Sequence, residues 1–197
     1  MYFGTNRLSD DWSIHSEVQY RNHTVAPVNI EQLLLRTGIN RHLNPNAILT
    51  LGYGYIASYD FESEQKPPES TEHRIFQQFI LINRLDRIKF EHRYRLEQRW
   101  VNGDYRDRIR YRLMLFIPIN NPKIEPGTWF VGLYDELFMN TKDVFFDRNR
   151  LYGALGYQFS KTTQAQVGYL RQRVNAFGKN YLQFAVVFNP DFRNTSD

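Results

Sequence analysis

Seven arginines fall within one short stretch: Arg93, Arg95, Arg99, Arg106, Arg108, Arg110 and Arg112. Glu91 and Glu97 are the acids that share their parity. A guanidinium stays charged and offers five donors in a planar fork that matches carboxylate and phosphate oxygens. Gathered on one wall, such groups either lock onto carboxylates as a stiffening ion-pair plug or line an anion-leaning conduit or pocket. The plug is the plainer reading. If Trp100 lies opposite Tyr105, then Arg99 faces Arg106, Glu97 faces Arg108, Arg95 faces Arg110 and Arg93 faces Arg112, so with Lys89 the wall is in cationic excess. Buried charge without a partner is costly, and the partners sought on other strands are Glu17, Glu31 and Glu136. Tyr134, Gln19, Gln32 and Asn40 are the expected hydrogen-bonding neighbours.

Acyl transfer would need a serine with a base in hydrogen-bond reach. His15 has Ser13 and Glu17 beside it in alternation, but i, i+2 neighbours on a strand stand about 6–7 Å apart, too far for direct proton transfer. His92 falls on an apolar wall, opposite Phe79 if the chain turns at Leu85-Asp86, and has no nucleophile. His23 and His73 sit at loop edges. Five scattered histidines and no cysteine give no metal-ligand spacing, so neither a metal nor any other cofactor is expected. Gly52-Tyr53-Gly54 and the Gly153, Gly156 pair look only superficially like phosphate loops. In strands, glycine more often marks close packing or a bend.

The elements that must carry these residues are strands. From Ile88 to Trp100 even positions are mostly apolar and odd ones charged. After Val101-Asn102-Gly103-Asp104 the parity reverses, with Asp107 the exception: a two-stranded ribbon with one greasy and one charged wall. The same sorting recurs in Trp12–Arg21, Ala47–Tyr55 and Asn180–Phe188. Eleven β-type runs follow one another, at about Tyr2–Arg7, Trp12–Arg21, Ile30–His42, Ala47–Tyr59, His73–Arg84, Ile88–Val101, Tyr105–Ile119, Thr128–Met139, Arg148–Phe159, Gln164–Arg173 and Asn180–Asn189. No helical stripe interrupts them. Many are longer than the usual strand of about five or six residues, and long enough for a tilted membrane crossing of about nine to eleven. Short turns alternate with longer loops, as in outer-membrane barrels, although Asn120–Gly127 and Val101–Asp104 break the pattern. The Glu62–Glu69 stretch reads as an external loop.

Alternation alone does not decide whether the apolar wall faces in, as in a soluble ligand-binding barrel, or out, as in a membrane barrel. Trp12, Trp100, Tyr105 and Trp129 near strand ends on apolar faces, the high strand number, and a second wall of Arg, Glu, Gln, Tyr and Gly favour the membrane. The 16% aromatic content and 23% charge suit neither disorder nor a helical bundle, and a net charge of +4, dispersed, gives no case for nucleic acid. At 197 residues one domain is expected, over 1–192, with 193–197 as a tail.

The motifs Leu8-Ser9-Asp10-Asp11-Trp12-Ser13-Ile14-His15, Arg36-Thr37-Gly38-Ile39, Tyr134-Asp135-Glu136-Leu137-Phe138, and Asn149-Arg150-Leu151-Tyr152 with Gly156-Tyr157 resemble the outer-membrane β-barrel proteins grouped as a domain of unknown function in Gram-negative bacteria. The resemblance implies a bacterial outer-membrane location, lipid around the barrel, and a signal peptide preceding Met1. It carries over no catalytic residue. Phe184-Ala185-Val186-Val187-Phe188 and then Phe192 are similar to the aromatic last strand that barrel assembly machinery reads. The expectation is thus an all-β, antiparallel, up-and-down transmembrane barrel of about ten to twelve strands, an even count being required for purely antiparallel closure. Its Arg-rich lumen would serve a small anionic solute as a narrow pore, a binding site or a structural envelope element. An outer-membrane acyl hydrolase and a soluble ligand-binding barrel are the alternatives.

Overall fold

In the computed structural model, described over residues 1–24, 29–61, 67–142, 145–174 and 177–193, the alternating runs close into a barrel of eleven strands without a helix. In chain order these are β1 (Tyr2–Arg7), β2 (Trp12–Thr24), β3 (Asn29–Asn44), β4 (Ala47–Ser58), β5 (Ser70–Leu85), β6 (Ile88–Val101), β7 (Asp104–Pro118), β8 (Trp129–Asn140), β9 (Phe146–Gln158), β10 (Thr163–Val174) and β11 (Phe177–Phe188). Each strand pairs antiparallel with its neighbours in sequence, and β1 closes against β11 in parallel, Tyr2 beside Val186 and Gly4 beside Phe188. Eleven lies within the expected ten to twelve, but the anticipated even count is corrected. One parallel seam lets an odd sheet close. Around it Val186 N donates to Met1 O and Phe192 N to Arg7 O, both at 2.9 Å. Arg193, the first residue of the expected tail, donates to Asp191 and Asp10, and its side chain holds the Asp191 carboxyl down to about 2.

Turn chemistry sets the registers. Asn102 and Gly103 both take positive φ, 50° and 93°, as a two-residue hairpin turn requires. The β6–β7 register is the expected one, Trp100 beside Tyr105 down to Arg93 beside Arg112. The preceding turn uses Asp86 and Arg87, with Leu85 paired to Ile88, so His92 faces Leu81 and not Phe79. That is a shift of two residues from the sequence expectation.

The turns after β1, β3, β5, β7 and β9 form what is called here the first rim, and those after the even strands the second. Ten residues join β7 to β8 on the first rim and eleven join β4 to β5 on the second, the others numbering two to five, so the expected short-turn and long-loop rims are only weakly distinguished. Within the Glu62–Glu69 loop expectation, residues 62–66 lie outside the described residues.

Burial decides which wall is inside. On β6, Arg95 and Glu97 are 2% and 1% exposed, whereas Tyr94 and Leu96 between and beside them are 48% and 49% exposed. The charged wall faces in, and the apolar wall, with Leu51, Tyr53, Leu96 and Phe184 among its residues, faces out. Trp12, Tyr105 and Trp129 are likewise exposed, and Trp100 leans on Tyr105 with ring centroids 5.4 Å apart. Inside, rings replace a continuous apolar core. Phe76 and Phe130, both 0% exposed, lie across the backbone of Gly52 and Gly156, where any Cβ would overlap the ring. These glycines are therefore packing residues, as the strand reading held.

Candidate functional site

The lumen is organised at Glu97, whose position on the inward parity of β6 puts a carboxylate amid inward arginines of β5, β6 and β7. Its Oε1 accepts from Arg110 at 2.7 Å, and its Oε2 accepts from Arg108 at 2.7 Å. Arg95 and Arg74 stand at 3.6 and 3.7 Å. Glu136 of β8 accepts from Arg93 at 2.5 Å and from Arg110 at 2.7 Å, and Glu91 accepts from Arg112 at 2.6 Å. Arg99 and Arg74 both donate to Glu72, and Arg108 also reaches Asp147 at 3.2 Å. Counted through these ion pairs among the described residues, five carboxylates (Glu72, Glu91, Glu97, Glu136, Asp147) serve nine cations (Lys89, Arg74, Arg93, Arg95, Arg99, Arg108, Arg110, Arg112, Arg148). The network is cationic on balance.

The structure thus brings together ten of the eleven residues anticipated for this wall, in three groups: a central one around Glu97 and Glu136, the Glu91–Arg112 pair, and Glu17. Glu17 stands apart from the other two groups, both its oxygens accepting from Arg36 at 2.8 Å and neither bonded to the hairpin arginines. Arg106 lies exposed near the second rim, outside the network. Glu31, Gln32 and Asn40 bond elsewhere, to Lys179 and Tyr181, to Ser58 and to Ser13. Gln19 donates to Glu17, and Arg112 stacks over Tyr134 at 5.6 Å. Arg36, Glu72, Arg74, Gln78 and Asp147 were missed. The inward parity of Glu72, Arg74, Phe76 and Gln78 on β5 is as regular as that of the hairpin and could have found the three that lie on that strand.

Stacking completes the plug. Arg95 lies over Phe76 at 4.7 Å and Arg110, already bonded to Glu97 and Glu136, lies over Phe138 at 4.3 Å, so the guanidiniums use aromatic faces as well as acids. Two cavities flank this layer and share no lining residue. Toward the second rim a small one of about 120 Å³ is bordered by Arg21, Arg36, Arg148, Arg150 and Glu31. Toward the first rim a vestibule of about 580 Å³ has Arg93, Arg95, Arg112 and Gln78 among its linings and Ile48, Ile80, Ile82, Met114 and Phe116 as further wall. The charged parity of β7 changes to apolar beyond Arg112, a change of character along the barrel axis.

One arrangement has the look of a hydrolase dyad. Ser13 Oγ lies 2.8 Å from His42 Nε2, deep inside, and Asn40 Nδ2 donates to the same Oγ at 3.0 Å. His42 Nδ1, however, is 3.0 Å from Arg7 Nη1. Arginine only donates, so Nδ1 must accept, which leaves the proton on Nε2 pointing at Ser13. This imidazole cannot take the serine proton. The ring of His15, the histidine first considered, bonds to Glu17 at 3.2 Å and, among the described residues, to no hydroxyl. Among the described residues no cluster of three or more His, Asp or Glu is placed for a metal.

On the outer wall, several polar side chains are bonded to one another. Gln77 and Gln98 bond reciprocally, His92 meets Asn83 and Tyr111, Tyr53 meets His73, and Asn149 donates to Asp135. No helix of the described residues is long and apolar enough to cross a membrane, which leaves crossing by strands open. No curated protein and no solved structure matches the chain. The family model of DUF2490, a protein family of unknown function, matches residues 1–183, and the chain belongs to that family.

Proposed function

We propose that this barrel is an integral component of a bacterial outer membrane, its lumen plugged at mid-height and its first-rim vestibule open to an anionic solute. The observation that carries the reading is the reversed polarity of the wall. Arg95 and Glu97 are almost wholly buried, while Leu51, Leu96 and Phe184 on the outside are 61%, 49% and 61% exposed. In water that distribution forgoes most of the apolar burial that holds a small barrel together, and in lipid it is what the medium demands. The polar groups outside that bond to one another, such as Gln77 with Gln98 and His92 with Tyr111, fit the same solvent, since a hydrocarbon supplies no hydrogen bonds.

The plug favours binding over free conduction. Detergent-extracted protein is expected to migrate on gels in a heat-modifiable way, and in planar bilayers to give no steady current above baseline. A stable, anion-over-cation conductance would replace the plug with an open conduit. A chain that is soluble and monomeric without detergent would remove the membrane reading. The cationic excess keeps the conduit as the second reading, because a displaced plug would expose arginines to a passing anion. Acyl hydrolysis is disfavoured by the tautomer of His42.

A further inference from the structure

The vestibule has two kinds of wall, and the difference runs along the barrel axis. At its inner end stand Arg93, Arg95 and Arg112. Arg95 is 2% exposed and, among the described residues, its Nη1 has no hydrogen-bond acceptor, nor does Nε of Arg93 or of Arg112. Buried donors of this kind are normally satisfied, so three on neighbouring arginines call for an acceptor. Toward the first rim one arc of the wall is apolar, Ile80 and Ile82 on β5 with Met114 and Phe116 on β7, while Lys89 and Glu91 on β6 between them and Gln164, Gln183 and Asn189 across the lumen are polar. A lumen that held only water or a small inorganic ion would have no use for this apolar arc, because transmembrane barrels ordinarily keep polar residues inside. The cavity, at about 580 Å³, is of the size that takes a small organic ligand.

We infer that the vestibule binds a single-chain anionic amphiphile, a carboxylate or phosphate-monoester head on an unbranched hydrocarbon chain. The head lies against Arg95, Arg93 and Arg112, and the chain lies along the isoleucines toward the first rim. This rests on the reading of the plugged barrel as a binding component, and it names the ligand class of that same site.

The test is equilibrium binding to the full chain in lipid nanodiscs, with empty nanodiscs subtracting partition into lipid. Decanoate and decyl phosphate are the probes, decanol supplies the tail alone, and acetate and inorganic phosphate supply the head alone. The expected result is saturable binding of one decanoate or decyl phosphate per chain, with decanol and the head-only ions weaker by about tenfold or more. Arg95→Gln is expected to weaken the amphiphile by about tenfold while leaving decanol unchanged. Because Arg95 also supports the plug, Arg112→Gln, nearer the open cavity, and Ile82→Asn serve as variants whose folding is checked by heat-modifiable migration. Binding no greater than in empty discs, decanol as tight as decanoate, or inorganic phosphate as tight as decyl phosphate would each overturn the assignment. If the protein does not enter discs and stays soluble, the membrane reading fails separately. The same titration in buffer then judges the pocket by the same outcomes.

Discussion

Glu97 is the residue on which the lumen turns, because its two oxygens are shared by Arg108 and Arg110 with Arg74 and Arg95 close by. Replacing the carboxylate by an amide keeps the shape and removes the charge, so Glu97→Gln isolates the electrostatic part. Leaving a buried ion without its partner costs about 3–5 kcal/mol, and that loss is expected as a lower temperature for conversion of the folded gel band. Removing one cation as well, in Glu97→Gln with Arg108→Met, should recover part of it. An unchanged transition in the single variant would mean that the guanidiniums are held by stacking and water instead. Lys179, 43% exposed beside Glu31, is the contrast: Lys179→Ala should change stability by no more than about 1 kcal/mol. Ser13 supplies a chemical test at the same scale. With Arg7 fixing the tautomer of His42, a fluorophosphonate probe is expected to leave Ser13 unlabelled, and stoichiometric labelling there would restore the hydrolase reading.

At the scale of strands, the aromatic rings need bare backbone beneath them. Phe76 on β5 crosses Gly52 on β4 and in turn carries Arg95 and Arg36 on its faces, at 4.7 and 5.7 Å. Gly52→Val would push that ring out of its layer and, like other overpacking changes, should destabilise by about 1–3 kcal/mol. Gly54, two residues on, meets nothing closer than 3.5 Å where a Cβ would sit, so Gly54→Ala should fold almost normally. Comparable losses in both variants, by thermal shift of the heat-modifiable band, would show that strand propensity and not the ring governs the effect. Much of this level was legible in the residues. Period-two alternation located all eleven strands, and Asn102-Gly103 set the β6–β7 register. Alternation assigns a face but not a height or a partner across the lumen. Hence the parallel seam, the pairing of Glu17 with Arg36, and the ring of Phe76 over Gly52 could not be read from it. The step from Arg112 to Met114 was visible as composition, but its meaning depends on knowing that both face one cavity.

For the whole molecule the decisive quantity is the solvent of the outer wall, and single charges can measure it. Leu35, near the middle of β3 and 42% exposed, points outward, and Leu85, the last residue of β5 and 68% exposed, points outward at the first rim. A lipid-facing arginine costs about 2–4 kcal/mol at the bilayer midplane and about 0–1 near the interface. In water, an exposed leucine exchanged for arginine away from special contacts changes stability by only about 0.5 kcal/mol in either direction, wherever along the strand it lies. Leu35→Arg and Leu85→Arg therefore separate the two environments without reference to any ligand. Equilibrium unfolding in lipid vesicles should show a large loss for Leu35→Arg and a small one for Leu85→Arg. Equal and negligible losses at the two positions would place both side chains in water, and the arginines of the lumen would then have to be explained as the inside of a soluble barrel. A depth-dependent loss would leave the plug and the vestibule facing the only aqueous phase available to them, through the rims.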